Sequence, residues 1–412
     1  MNYRAVNRLF TLVIFSMPPI VGSATSVVWH GGAFWCVFEV LSGRRRLSPD
    51  TAMRWVALLM LVYVLANVVS FLVNEPTLEM AYKLLPLVTF LLFPFSYSIW
   101  TISDREEVAY ALVFGAAIAS FGALVFALVQ YKYIGMRAEG GAGNALVFAD
   151  VACLAGLTCL AGALILDSKR PLMLLLAFAA AFAAVLLSGS RSIWGVMIVL
   201  AVVLLLICRS RVAILLKGRL LALAGIAILI VILASGVIVE RFEALWQNMD
   251  KLTEGGDYNS SLGLRVAVWK IGLQLVAEDP LFGHGMQNVS TLIREGVEQN
   301  FGIQVGFTHF HNGFLTILVE GGIVAGLAII AMFGLITVIA VRSLAKAGDR
   351  LERLGGAVLL MLAAVYAGGG TVNLIFGHDI LDTVFMIFLI IGLFLARGTS
   401  RLADAEAPAP FR

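Results

Sequence analysis

The sequence predicts an all-α polytopic membrane protein with about twelve transmembrane helices and one long helical loop between the ninth and the tenth. Apolar residues make up 60% of its 412 residues and charged residues 13%, and the mean hydropathy is +0.96. Apolar runs of about 20 residues, the length that crosses roughly 30 Å of hydrocarbon, recur along the chain. One long polar stretch, residues 239–311, interrupts them. This composition excludes an ordinary soluble globular protein.

Charges and turn residues bound the apolar runs and so define the domain organisation. Residues 1–238 hold spans one to nine, residues 239–311 the loop, residues 312–396 spans ten to twelve, and residues 397–412 a cytoplasmic tail. The first two spans could instead form one re-entrant hairpin, because only four residues separate them. The spans are predicted near residues 9–24, 26–42, 54–73, 80–100, 108–130, 144–166, 171–188, 191–208, 220–238, 312–341, 356–374 and 380–396.

The basic residues predict the orientation. Twenty of the 29 Lys and Arg residues fall on the side of the N-terminus, and nine fall on the other side. Basic residues favour the cytoplasmic side, so both termini are predicted to be cytoplasmic and the loop extracytoplasmic. The loop supports this orientation, because its nine acidic residues outnumber its five basic ones. The nine outer basic residues are Lys83, Lys132, Arg137, Arg191, Arg241, Lys251, Arg265, Lys270 and Arg294.

The loop is predicted to contain an amphipathic helix, because apolar residues recur there every three or four positions and stop before Asp279-Pro280. Its apolar face is expected to rest on the bilayer surface or on the helix bundle. Beyond it, Gly283 and Gly285 form a turn whose backbone could approach a substrate closely. The apolar positions of the helix are Leu264, Val268, Ile271, Leu275 and Val276.

Arg191 lies between two apolar runs, at the outer end of both. An arginine at this depth is costly without a partner, so it is a candidate functional residue. The alternative is an arginine that extends to the outer headgroups. The small polar residues Ser188, Ser190 and Ser192 favour the functional interpretation, because they leave room for an anion beside the guanidinium.

Arg265 is predicted to open the amphipathic helix, and Lys270 follows just over one turn later. A cation at a helix start opposes the helix dipole, so an anionic ligand explains this arginine better than helix stability does. A solvated surface arginine is the alternative.

His309 and His311 are two residues apart, so they are expected to face opposite sides of a strand or to lie about 200° apart on a helix. Two such histidines would not share a helical face as metal ligands do, and the chain contains neither an HExxH motif nor paired cysteines. No metal site is therefore predicted. Where the loop meets the next helix, a neutral imidazole can accept a proton at near-neutral pH, although a capping or packing histidine is the commoner case.

Cys36, Cys153, Cys159 and Cys208 all fall inside or beside apolar runs. No disulfide framework follows from these positions. The four cysteines are expected to be core packing residues.

Three motifs resemble the O-antigen ligase and polymerase superfamily and occur in its order. His311-Asn312-Gly313-Phe314-Leu315, followed by Glu320 and Gly326, is similar to the H-N-x-x-L…E-x-G-x-x-G signature. Residues 265–285 resemble the segment that precedes it, and Ser190-Arg191 resembles the family's arginine at the outer end of a central helix. About twelve spans with one long outer loop late in the chain also match that architecture. The specific part of the resemblance covers about residues 190–326.

The resemblance implies a GT-C-like glycosyltransferase of the bacterial inner membrane with a periplasmic active site. The donor would be an undecaprenyl diphosphate-linked glycan and the acceptor a sugar hydroxyl of lipid A-core, among membrane lipids and without nucleic acid, metal or cofactor. Arg191 and Arg265 would bind the diphosphate, His311 would be the base of an inverting transfer, and Lys270, His309 and Asn312 would help to bind substrate. The size looks most like the ligase branch, because no large outer C-terminal domain is expected.

Two other classes of function remain open at this stage. O-antigen polymerases and protein O-oligosaccharyltransferases use the same donor chemistry with another acceptor. A polysaccharide or lipid transporter would carry charged or Gly/Pro-broken helices near the middle of the bilayer. The charges of this sequence are expected to lie at the outer face instead.

Overall fold

A computed structural model describes residues 2–217, 220–254, 256–345 and 349–397. The described residues form α-helices with short 3₁₀ and π segments and no β-strand. The predicted tail lies outside them from residue 398 onward. The helices are α1 Tyr3–Ser16, α2 Pro18–Val21, α3 Ala24–Leu41, α4 Thr51–Val73, α5 Val88–Leu91, α6 Phe93–Trp100, α7 Arg105–Val129, α8 Ala145–Ile165, α9 Pro171–Leu187, α10 Arg191–Ile207, α11 Arg209–Leu216, α12 Leu220–Thr253, α13 Ser261–Glu278, α14 Val289–Phe301, α15 Gly313–Ala345, α16 Arg350–Gly370 and α17 Asp379–Arg397.

The helices confirm an all-α polytopic membrane protein. Within the described ranges, seven helical segments are long and apolar enough to cross a membrane, and α9 and α10 are shorter apolar helices. The remaining predicted spans fall on α1 with α2, on α3 and on α12, which are helical but not among the seven. The number of crossings therefore stays a prediction. The seven segments are Thr51–Val73, Leu78–Trp100, Arg105–Ile134, Ala145–Ile165, Gly313–Ala345, Arg350–Gly370 and Asp379–Arg397.

Helices α8 and α17 lie at the centre of the bundle, since 94% of the most apolar window of each is buried. Small residues allow the close packing. A Cβ added at Gly156 of α8 would lie 2.6 Å from the Cβ of Ala181 on α9, and one added at Gly162 would lie 2.6 Å from Val113 on α7. All four cysteines are buried and free, so the prediction that they pack in the core is confirmed.

The polar loop is helical. Helix α12 continues without a break to Thr253, and its 34 residues span about 51 Å, more than the hydrocarbon thickness. Helix α13 ends at Glu278, as predicted. Its apolar face packs on α14 and on the start of α15, in a cluster separate from the main core. The members of that cluster are Val268, Ile271, Leu275, Val289, Ile293, Val297, Phe310, Leu315 and Val319.

Helix α15 is broken at Gly322, which has a φ of 68°. The turn after α13 fills the break: His284 N–H donates to the Val319 carbonyl at 2.7 Å, and Ile323 N–H donates to the Pro280 carbonyl at 2.8 Å. A Cβ at Gly283 would lie 2.6 Å from the Val319 oxygen. The glycine turn therefore approaches the backbone of α15, and not a substrate as its sequence suggested.

The buried carboxylates of the described residues include Asp150 of α8 and Asp382 of α17. Together with the break in α15, they show that the expectation of unbroken helices with charges only at the outer face is wrong. The break is satisfied by loop backbone, and Asp382 accepts hydrogen bonds from the Gly377 N–H at 3.0 and 3.2 Å. The break and Asp382 thus have local partners in the fold, whereas Asp150 Oδ1 is buried without a hydrogen-bond partner.

The orientation predicts that a cysteine at Asn259 will react with a membrane-impermeant maleimide in outer-permeabilised cells. Asn259 is exposed in the turn before α13, whereas the four native cysteines are buried. Lys169→Cys is the matched control, because it is exposed in the predicted inner loop between α8 and α9. Labelling of position 259 only after the inner membrane is opened would reverse the orientation.

Candidate active site

Three arginines surround the turn between α9 and α10. Arg137 Nε donates to the Ser188 carbonyl at 3.0 Å, and Arg191 Nη1 donates to the Arg241 carbonyl. The arginine side chains approach this turn most closely at Gly189, which has a φ of 67°. A Cβ added at Gly189 would lie 2.7 Å from Arg241 Nε and 3.4 Å from Arg137 Nε. The serine and glycine turn thus makes room for the three guanidinium groups. Arg191 lies among them instead of reaching for the headgroups.

Arg265 of α13 is the fourth member of this arginine cluster. Burial lowers the pKa of Arg265, and the charge of Arg191 lowers it further. Burial likewise lowers the pKa of Arg137, and Arg241 is the next cause. The prediction that Arg265 opens the helix is wrong, because Ser260 caps α13 and leaves Arg265 as its fifth residue. The helix dipole acts mainly on the first turn, so the neighbouring arginines explain this site better.

The arginine cluster, Arg137, Arg191, Arg241 and Arg265, has little negative charge around it. Among the described residues, its one ion pair joins Arg241 to the exposed Glu240 at 4.0 Å. Arg241 Nε is buried without a hydrogen-bond partner. Guanidinium groups that lower one another's pKa repel, and a bound polyanion removes that repulsion. The arrangement is therefore chemically suited to a polyanion.

His309 and His311 lie side by side, with ring centroids 4.5 Å apart. The prediction that they face opposite ways is wrong, because His311 adopts the left-handed conformation, with a φ of 49°, and so interrupts the extended alternation. Phe307 packs edge-on against His311 at 4.6 Å. His309 Nε2 and His311 Nδ1 are buried without a hydrogen-bond partner. Both nitrogens are thus available to a ligand.

Both imidazoles are neutral at pH 7. Burial lowers the pKa of His311 to about 4, and the charge of Arg265 adds to the effect. Burial also lowers the pKa of His309 to about 4, and the charges of His311 and His378 are the smaller causes of this shift. Arg265 therefore links the histidine pair to the arginine cluster, and His378 is a third histidine near enough to act on His309.

Two predicted substrate-binding residues have other contacts. Lys270 Nζ donates to the Tyr258 hydroxyl at 2.6 Å, on the exposed side of α13. Asn312 caps α15, because its Oδ1 accepts from Leu315 N–H at 3.1 Å. Asn312 thus fixes the helix start that follows His311.

Residues 176–330 match the family model described as O-antigen ligase. Over these residues the chain is similar to the O-antigen ligase family. No curated protein matches it. The matched segment includes three arginines of the cluster and both histidines. Its function is accordingly of the O-antigen ligase or polymerase kind, that of a glycosyltransferase-like enzyme in a membrane.

Sequence reasoning did not select Arg137, Arg241 or His378 as candidate site residues. Arg137 and Arg241 already stood among the nine outer basic residues, which was the available signal. His378 lies in the connection between α16 and α17, a place that spacing alone did not mark. Across the described ranges, no three His, Cys, Asp or Glu residues are grouped to hold a metal ion.

Proposed function

We propose that the protein is an O-antigen ligase that transfers a glycan from undecaprenyl diphosphate to a sugar hydroxyl of lipid A-core. The transfer takes place on the periplasmic face of the bacterial inner membrane. One observation carries the proposal: a cluster of four arginines adjoins two neutral histidines, each of which has one ring nitrogen buried without a hydrogen-bond partner. The arginine cluster suits a diphosphate, and the histidine pair suits a hydroxyl.

The arginine cluster binds the donor's diphosphate. The guanidinium fork makes paired hydrogen bonds to phosphate oxygens and keeps its charge when buried. Arg191 and Arg265 make the principal contacts, and Arg137 and Arg241 hold the turn at Gly189 open beside them. Negative charge grows on the diphosphate as it leaves, so fixed cations stabilise the transition state more than the ground state.

His311 activates the acceptor. Its neutral imidazole takes the proton of the acceptor hydroxyl while that oxygen bonds to the anomeric carbon. The bond between this carbon and the diphosphate oxygen breaks, and its electron pair leaves with undecaprenyl diphosphate. Attack opposite the leaving group inverts the anomeric configuration. The donor is already activated, so no nucleotide is consumed.

The activity is tested with purified protein, purified lipid-linked O-antigen and lipid A-core. Ligase activity gives a glycan attached to lipid A-core, with release of undecaprenyl diphosphate. Extension of the lipid-linked glycan without transfer to core would instead identify a polymerase. In cells, a deletion strain should accumulate polymerised lipid-linked O-antigen and make lipopolysaccharide without it.

The pH dependence follows from the pKa of about 4 for His311. The neutral form is active, so kcat/KM should stay level from neutral pH downward and fall only as the pH passes through about 4. A bound diphosphate offsets the charge of Arg265 and raises the pKa of His311 in the complex. The acid limb of kcat should therefore lie at a higher pH than that of kcat/KM. Rates of transfer from pH 8 down to about pH 3 measure both limbs.

An acid limb of kcat/KM near pH 6.5, the ordinary value for histidine, would contradict the buried setting of His311 in the free protein. Loss of the difference between the two limbs in an Arg265→Gln protein is the expected control result, because the charge that couples donor binding to His311 is then absent.

A further inference from the structure

The connection between α16 and α17, residues 371–378, lies against the start of α15. A Cβ added at Gly313 would lie 2.5 Å from the Ile375 backbone nitrogen and 3.1 Å from the Asn373 carbonyl oxygen. Gly313 follows His311 by two residues, so the connection passes beside the histidine pair. It forms a wall of the site that comes from outside the family match at residues 176–330.

Two polar side chains of this connection lack partners. Asn373 is 5% exposed, and its Nδ2 is buried without a hydrogen bond. His378 Nδ1 lies 3.2 Å from Asp379 Oδ1, but in a geometry that makes no hydrogen bond. Burying an amide donor without a partner is unfavourable, and orphaned groups of this kind are typical of places that a ligand or water fills.

The position of His378 relative to the histidine pair follows from the charges that act on each ring. Arg265 acts on His311, whereas His378 acts on His309. The pair therefore has two neighbours, the arginine cluster through Arg265 and the α16–α17 connection through His378. The two neighbours differ in chemistry, since one is cationic and the other offers an amide and an imidazole.

We propose that Asn373 and His378 bind hydroxyl groups of the acceptor sugar and present one of them to His311. An amide offers two donors and an acceptor, and a neutral imidazole offers one of each, which matches uncharged hydroxyls that both donate and accept. The arginine side, by contrast, matches a polyanion. This inference rests on the proposed ligase function and names the acceptor-binding half of its site.

The test compares Michaelis constants for the two substrates in purified variants. Asn373→Asp keeps the shape of the side chain but loses the amide donors, and His378→Ala removes a side chain that is 28% exposed, so the fold should tolerate its loss. Each should raise the acceptor KM at least about tenfold, because hydroxyl partners are lost in a buried site, and leave the donor KM unchanged. His378→Gln should restore part of the acceptor affinity.

Thr371→Ala is the matched control. Thr371 is exposed on the same connection and bonds only to the Gly368 carbonyl of its own helix, at 2.7 Å. Its acceptor KM should equal that of the unmodified protein. Equal rises in both Michaelis constants of the Asn373 and His378 variants would indicate a general structural role and overturn the inference. A fall in kcat with both Michaelis constants unchanged would also overturn it, because that is the result expected for a proton relay.

Failure of the ligase function has a different result. If the unmodified protein transfers nothing to lipid A-core, the proposed function is wrong whatever the variants do. If it transfers normally and the Asn373 and His378 variants keep a normal acceptor KM, the acceptor site is elsewhere and the ligase function stands.

Discussion

Replacing Arg191 or Arg265 with lysine should reduce transfer about 10²-fold, the effect of removing one transition-state hydrogen-bond donor, while the protein still inserts. Lysine keeps the positive charge but loses the planar fork that binds two phosphate oxygens. Both arginines lie in a cluster whose members already repel one another, so the loss of diphosphate binding should exceed any loss of stability. Transfer rates at saturating acceptor, with donor binding measured in parallel, separate the two effects.

Arg294→Lys is the matched control for the arginine series. Arg294 is exposed on α14 and pairs with its neighbour Glu295 at 3.4 Å, so its substitution should leave transfer unchanged. Near-normal activity after both cluster substitutions would contradict the diphosphate clamp. Abolition of wild-type transfer by a chelator would show that a metal ion shares the task.

The arginine cluster shows how far sequence could predict the site. Arg191 was selected because a cation at the end of an apolar run needs an explanation whatever its neighbours are. Arg265 was selected because a cation at a predicted helix start opposes the helix dipole. Their neighbours could not be predicted. Arg137 reaches the Gly189 turn from the segment after α7, and Arg241 reaches it from α12. Contacts between residues so far apart in the chain depend on how the helices pack, which hydropathy does not encode.

The histidine pair shows why the local backbone geometry could not be predicted from the sequence either. Alternation along an extended chain places residues two apart on opposite faces, and a single left-handed residue cancels that rule. His311 is such a left-handed residue. Two residues later, Gly313 lets the α16–α17 connection approach the start of α15. The same holds for the turn at Gly283, where glycine predicted a close approach but not which partner is approached.

The helices themselves were predictable for a plain physical reason. Backbone groups in hydrocarbon must be paired within a segment, so long apolar runs form helices. Helix α13 was found by its apolar period, and it ends at Glu278 because Pro280 cannot continue it. The break in α15 could not be predicted from the sequence. The helix can break at Gly322 only because a loop supplies hydrogen-bond partners for the freed backbone groups.

His311→Ala should slow transfer by about 10² to 10⁴, the usual contribution of a positioned base, without weakening donor binding. The arginine cluster remains intact in this variant, so bound donor should accumulate unreacted. The acid limb of kcat/KM that the unmodified protein shows near pH 4 should also disappear, because the titrating base is gone.

His309→Ala provides the comparison. The rings of His309 and His311 are in contact, so His309→Ala should lose more transfer activity than a variant of a residue that faces away. The loss of activity should still be well below that of His311→Ala. Removing the neighbouring ring opens His311 to water, and since burial is the main cause of its low pKa, the acid limb should move to higher pH. A His311→Ala protein with near-normal transfer, or one that fails to bind donor, would remove His311 from the chemical step. The arginine cluster would then be the catalytic device, acting by stabilising the departing diphosphate.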